Sequence, residues 1–84
     1  LDTERKIVQC HHERWDGKGY PLGLKGEEIP LLARVMAVVD AFDAMTNNRT
    51  YRPAMSKDKA IDELIANKGT QFDPDIIDAY IKIL

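Results

Sequence analysis

Eighty-four residues carry 12 Lys+Arg against 14 Asp+Glu, a net charge of −2, and 44% of them are hydrophobic. A chain of this length holds one domain, and a domain so small buries only ~60% of its unfolded surface. The near-even charge excludes a surface built for a nucleic-acid polymer or a polybasic membrane face, no apolar run reaches the ~20 residues of a membrane segment, and no signal peptide is read in it. Its single cysteine, Cys10, has no internal disulfide partner, which suits a reducing, cytoplasmic setting. The chain opens at Leu1 inside a helical pattern, as expected of a piece of something longer.

In chain order, residues 2–14 are predicted to be helical: Ile7, Cys10 and His11 fall at i, i+3 and i+4, with neither Gly nor Pro among them. Residues 16–30 hold Gly17, Gly19, Pro21, Gly23, Gly26 and Pro30, and read as a loop. Tyr20, preceding a proline, is biased towards extended backbone. A second helix is predicted over 31–46, with Leu32, Val35, Met36 and Val39 as its apolar stripe and Asn47 and Asn48 as terminators. Residues 49–54 read as irregular. Ser56 is the expected N-cap of a third helix over 57–68, with Gly69 beyond its end. Asp73-Pro74 reads as N-cap and first helical residue of a fourth, running to the C-terminus. No strand shows the required alternation. The fold class is all-α: about four helices, with a Gly/Pro-rich loop after the first.

Three clusters carry chemistry. His11-His12-Glu13 places three ionisable side chains in a row. Adjacent helical residues diverge by ~100°, so the two imidazoles suit two neighbouring metal ions, or one metal and a substrate, better than one shared ion. The plainer alternative packs His11 inside and leaves His12 solvated. Asp40 and Asp43 lie on the second helix. Relative to the Leu32 stripe, Asp43 falls at its centre and Asp40 on its edge, so Asp43 should be a structural carboxylate held by Arg49, Arg52 or helix-end amides. Asp40 is free to face a cleft. The stretch Arg49-Thr50-Tyr51-Arg52 could form a phosphate clamp, since guanidinium forks suit phosphate oxygens, or a solvated loop paired to acidic neighbours. A zinc-protease reading of His12-Glu13-Arg14-Trp15-Asp16 fails because Gly17 and Gly19 follow at once. Cys10 reads better as a small buried hydrophobe than as a ligand.

The run His11-His12-Glu13-Arg14-Trp15-Asp16-Gly17-Lys18-Gly19-Tyr20-Pro21 resembles the signature of the HD-GYP family, bacterial metal-dependent phosphodiesterases that hydrolyse cyclic di-GMP. The resemblance continues through Gly23–Pro30, Ala33-Arg34, Asp40–Thr46, Arg49, Tyr51–Pro53, Gly69 and Phe72–Pro74, and so covers nearly the whole chain. It implies an HD-domain-like helical bundle with two or three divalent metal ions, commonly iron or manganese. It also implies His11, His12 and Asp40 as metal ligands, Arg49 and Arg52 as contacts to substrate phosphates, and Tyr20 beside the bound substrate. Thr50 stands where the family often has proline. The His-Asp pair that names the family is absent, and His11 and His12 are the only two histidines. The resemblance therefore implies that residues 1–84 are the C-terminal portion of a single HD-GYP domain, inactive by itself.

Three functions follow for the parent protein: cyclic di-GMP phosphodiesterase in second-messenger signalling; a phosphohydrolase acting on another nucleotide; or a non-catalytic interaction module contacting protein through the Gly17–Pro21 loop. The retained His11, His12, Asp40, Arg49 and Arg52 argue against the non-catalytic module and leave the choice of nucleotide open. A last expectation concerns the chain alone. Without the remaining helices, the 32–39 face should lack cover, and the fragment should self-associate or be held by another chain.

Overall fold

A computed structural model describes residues 12–20, 22–48 and 51–84. They form three α-helices: α1 (Leu31–Thr46), α2 (Lys57–Ala66) and α3 (Pro74–Ile83), preceded by a 3-10 turn, Gly26–Glu28. Among the described residues there is no β-strand, only isolated bridges between Asp16 and Lys25 and between Lys68 and Phe72. The chain is all-α, as the sequence predicts.

The helix starts follow local chemistry. Ser56 accepts the Lys59 amide through its hydroxyl at 3.2 Å and opens α2. Asp73 accepts the Asp75 amide at 2.9 Å, with Pro74 as the first residue of α3. The predicted end of α2 at residue 68 is too late. The helix stops at Ala66, because the Asn67 carbonyl accepts the amides of Thr70, Gln71 and Phe72 in a tight turn. Gly69 supplies the positive φ of 83° that this turn needs.

Two corrections concern the helical faces. The predicted first helix lies outside the described residues over 2–11, and its last part, residues 12–14, is not helical. The amides of Trp15 and Asp16 pair instead with the carbonyls of Gln71 and Thr70, at 3.1 and 2.8 Å. Those bonds draw the segment onto the α2–α3 turn.

The second correction is to α1. Its expected core stripe faces outward: Leu32 is 56% exposed, and Met36 and Val39 are 38% exposed. The buried face is Ala33 and Val38, with Ala37, Ala41, Phe42 and Met45 beside them. Both stripes have helical spacing, since α1 is apolar on most of its circumference. The chosen one carries alanines, which let α2 and α3 approach closely. Val38, Leu64, Phe72 and Ile77 form the central core, with Phe42 edge-on to Tyr80 at 5.7 Å. Ile29 and Ala33 form a smaller cluster under Leu24.

One polar tie crosses this core. Arg34 on α1 donates to the Ile29 carbonyl at 3.0 Å and pairs with the Asp73 carboxylate at 2.8 Å. Asp73 is 4% exposed, so the N-cap of α3 is also a buried ion pair to α1.

Candidate active site

The segment 12–26 folds back on itself. The Gly26 amide reaches the Trp15 carbonyl at 3.0 Å, and the Tyr20 amide reaches the His12 carbonyl at 3.4 Å. Gly19 presses against the start of the loop: a Cβ there would lie 2.5 Å from the Arg14 nitrogen and the His12 oxygen. Arg14 holds Asp16 through two hydrogen bonds, at 3.2 and 3.1 Å. The Arg14 guanidinium, aided by the Lys18 amide, holds the Asp16 carboxyl below the ordinary carboxylate value. Because the Trp15 and Asp16 amides are tied to the turn after α2, this loop sits beside α1.

Between them lies a cleft of about 360 Å³, lined by His12, Glu13 and Arg14 from the loop, Ala37, Asp40 and Ala41 from α1, and Gln71 from the turn. His12 and Asp40 therefore face one cavity although they come from separate segments. Asp40 is exposed. Tyr20 stacks on the His12 ring, with centroids 5.0 Å apart and planes 14° from parallel. The Tyr20 ring remains 62% exposed.

The other predicted residues fare differently. His11 and Arg49 lie outside the described residues. Asp43 is not a buried structural carboxylate: it is exposed, and its carboxylate accepts a hydrogen bond from the Asn47 side-chain Nδ2 at 2.8 Å. The sequence placed it on the wrong face because it took Leu32, not Ala33, as the inward reference. Arg52 is half-buried, and its Nη2 donates to the Ala44 carbonyl at 2.9 Å, covering an otherwise open acceptor near the end of α1. Its Nε is buried with no partner among the described residues. One guanidinium nitrogen is thereby committed to the helix end.

Three residues were missed. Glu13 was read only as part of an ionisable run, yet it is 5% exposed and gives both carboxylate oxygens to backbone amides of the loop. The Gly-rich stretch that follows, with its surplus of unpaired amides, was the available signal. Arg34 carried one too, as a cation inside an apolar helix. Gln71 enters the cleft through the α2–α3 turn, and no local pattern marks it.

Metal ligation fits this donor set in part. His12 offers nitrogen and Asp40 oxygen to the same cavity, a mixture suited to iron and manganese. Among the described residues, no group of three His, Cys, Asp or Glu side chains is placed to hold an ion. No helix among them is long and apolar enough to cross a membrane.

Comparison with known proteins supplies the family. A model of the HD domain matches residues 2–76. The chain belongs to the HD-domain family, and its motifs are of the HD-GYP type. It is 46% identical over 81 residues to a probable cyclic di-GMP phosphodiesterase of Vibrio cholerae serotype O1, covering 96% of this chain and 18% of that protein. It is 51% identical over 76 residues to the cyclic di-GMP phosphodiesterase response regulator RpfG of Xanthomonas campestris pv. campestris, covering 90% of this chain and 20% of that one. A crystal structure of a cyclic GMP-AMP specific phosphodiesterase of V. cholerae superposes with a TM-score of 0.79 at 27% identity, over 98% of this chain and 20% of that chain. The HD-domain chain therefore spans about a fifth of the length of the relatives it matches.

Proposed function

We propose that residues 1–84 are the C-terminal portion of a single HD-GYP domain, and that the whole protein hydrolyses a phosphodiester bond of cyclic di-GMP in bacterial second-messenger signalling. The observation that carries this reading is the shared cleft of His12 and Asp40, with Tyr20 stacked on the imidazole. The names of the similar proteins support the substrate class, a cyclic dinucleotide.

His12 and Asp40, together with His11, would hold two or three divalent ions, iron or manganese. Bound there, such ions supply a water acidified towards neutral pH and positive charge for the phosphoryl oxygens. The chain's own residues do the rest. His12 from the loop and Asp40 from α1 line the same cleft. Tyr20, stacked on His12 and largely exposed, offers an aromatic ring against which a nucleobase can lie. Arg14 lines the cleft with a guanidinium oriented by Asp16. Arg49 and Arg52 are the candidates for phosphate contact.

The test uses full-length protein loaded with Mn²⁺ or Fe²⁺ and given cyclic di-GMP or cyclic GMP-AMP. The expected result is hydrolysis of cyclic di-GMP, with loss of both bound metal and turnover in His12→Ala and Asp40→Asn. Full turnover in Asp40→Asn would overturn the site. A preference for cyclic GMP-AMP would keep the chemistry and replace the substrate. The 84-residue chain alone is expected to be inactive, because His11, His12 and Asp40 do not complete the ligand set. It is also expected to self-associate through the exposed Leu32, Met36 and Val39, which sedimentation of the fragment checks.

A further inference from the structure

Among the described residues, Glu13 is a buried carboxylate that neither this mechanism nor an ion pair within the core accounts for. Its Oε1 accepts the amides of Leu22 and Gly23 at 2.6 and 3.0 Å, and its Oε2 accepts the amide of Leu24 at 2.9 Å. Hydrogen bonds to an ionised acceptor are roughly twice as strong as neutral ones. With both oxygens so engaged, the group is poorly placed to ligate an ion or carry a proton. What it does is close a loop. The far end, 22–24, is stapled to residue 13. The middle, at Gly19, lies against the backbone of residues 12–14, closer than any side chain allows. Tyr20 follows directly, and its ring is carried flat onto His12.

We propose that Glu13 is a positioning residue for the metal ligand beside it: its carboxylate closes the 13–24 loop, and the closed loop holds the Tyr20 ring against the His12 imidazole and so fixes the ring's orientation. The inference rests on His12 being a ligand. Outer partners that orient a ligating imidazole are commonly worth 10–100-fold in metal affinity. Here an aromatic face is one such partner, and Glu13 acts on it at one remove through the backbone.

The experiment uses the full-length protein, with hydrogen exchange measured by mass spectrometry on the metal-free form and Mn²⁺ affinity measured by titration. Glu13→Gln replaces one acceptor oxygen by a donor, so exchange at residues 22–24 should rise about tenfold or more. Mn²⁺ binding should weaken ~10–100-fold. Tyr20→Leu should weaken Mn²⁺ similarly while leaving exchange at 22–24 as in the parent, and Tyr20→Phe, which keeps the ring, should restore affinity. The double variant Glu13→Gln/Tyr20→Leu should be no worse than the weaker single, because both remove the same stack. Gly19→Ala opens the loop by a separate route and should reproduce the affinity loss if Glu13→Gln fails to fold. Two results overturn the proposal: loop opening in Glu13→Gln with unchanged Mn²⁺ affinity, or losses that multiply in the double variant, as a purely electrostatic effect of the lost charge would. Failure of the parent protein to bind Mn²⁺ would instead sink the reading of His12 as a ligand.

Discussion

The two halves of the described structure are held by different forces. In the three-helix half, Val38, Leu64 and Ile77 are fully buried, and packing supplies the cohesion. In the loop half, residues 12–28, a carboxylate, a bare glycine and a few backbone bonds do the same work. Apolar burial is non-directional and tolerates small shifts. Hydrogen bonds to a buried carboxylate are directional and fix positions to fractions of an ångström. The half that must present His12 and Tyr20 at set angles is the one built from directional contacts. The half that merely carries Asp40 on a rigid helix relies on packing. Damage to the core should therefore cost stability, and damage to the loop should cost site geometry with little loss of stability.

Variants of the full-length protein test that contrast. The largest effect is expected at Arg34. Arg34→Met leaves the Asp73 carboxylate, 4% exposed, without its cation, and removing one partner of a buried pair costs about 3–5 kcal/mol. Denaturant melts check it, and rescue by the added change Asp73→Asn would show that the stranded charge is the cause. Next is Leu64→Ala in the core, about 2–5 kcal/mol by lost burial and cavity formation, with Mn²⁺ affinity unchanged under conditions where the protein stays folded. A weakened metal site in folded Leu64→Ala protein would break the division between the halves. Ser56→Ala removes the α2 cap and should cost about 1 kcal/mol without touching the site.

The smallest effects belong to Asp43 and Asp16, carboxylates outside the core. Asp43→Asn should change the melting temperature within error, since Asp43 is exposed and its partner Asn47 can bond an amide as well. Asp16→Asn removes the Arg14 partner, and its effect carries a pH signature. Folding lowers the Asp16 pKa. The contribution is therefore full above the ordinary carboxylate value and is lost as pH falls through the lower folded value. The difference in melting temperature between the parent and Asp16→Asn should shrink below ~pH 4. A difference that grew on acidification would reverse the assignment.

Much of this was open to reading in the amino-acid order. The starts of α2 and α3 are set by Ser56, Asp73 and Pro74 acting within one turn of themselves, and such short-range chemistry needs no tertiary context. The all-α class and the loop of 16–30 followed in the same way. The motif that resembles the HD-GYP family pointed to His12 and Asp40, and the folded chain brings both to one cavity. What only the tertiary structure decided is which side of α1 turns inward, and with it the fates of Asp43 and the Leu32 stripe. Periodicity cannot choose between two apolar stripes on one helix. The choice depends on how closely α2 and α3 can approach, which favoured the alanine-bearing side. Tertiary structure alone also spent Arg52 on the Ala44 carbonyl, paired Arg34 with Asp73, and turned Glu13 onto three amides nine to eleven residues ahead of it. Each of these joins groups that meet only after the chain has folded, so no local pattern of residues announces them.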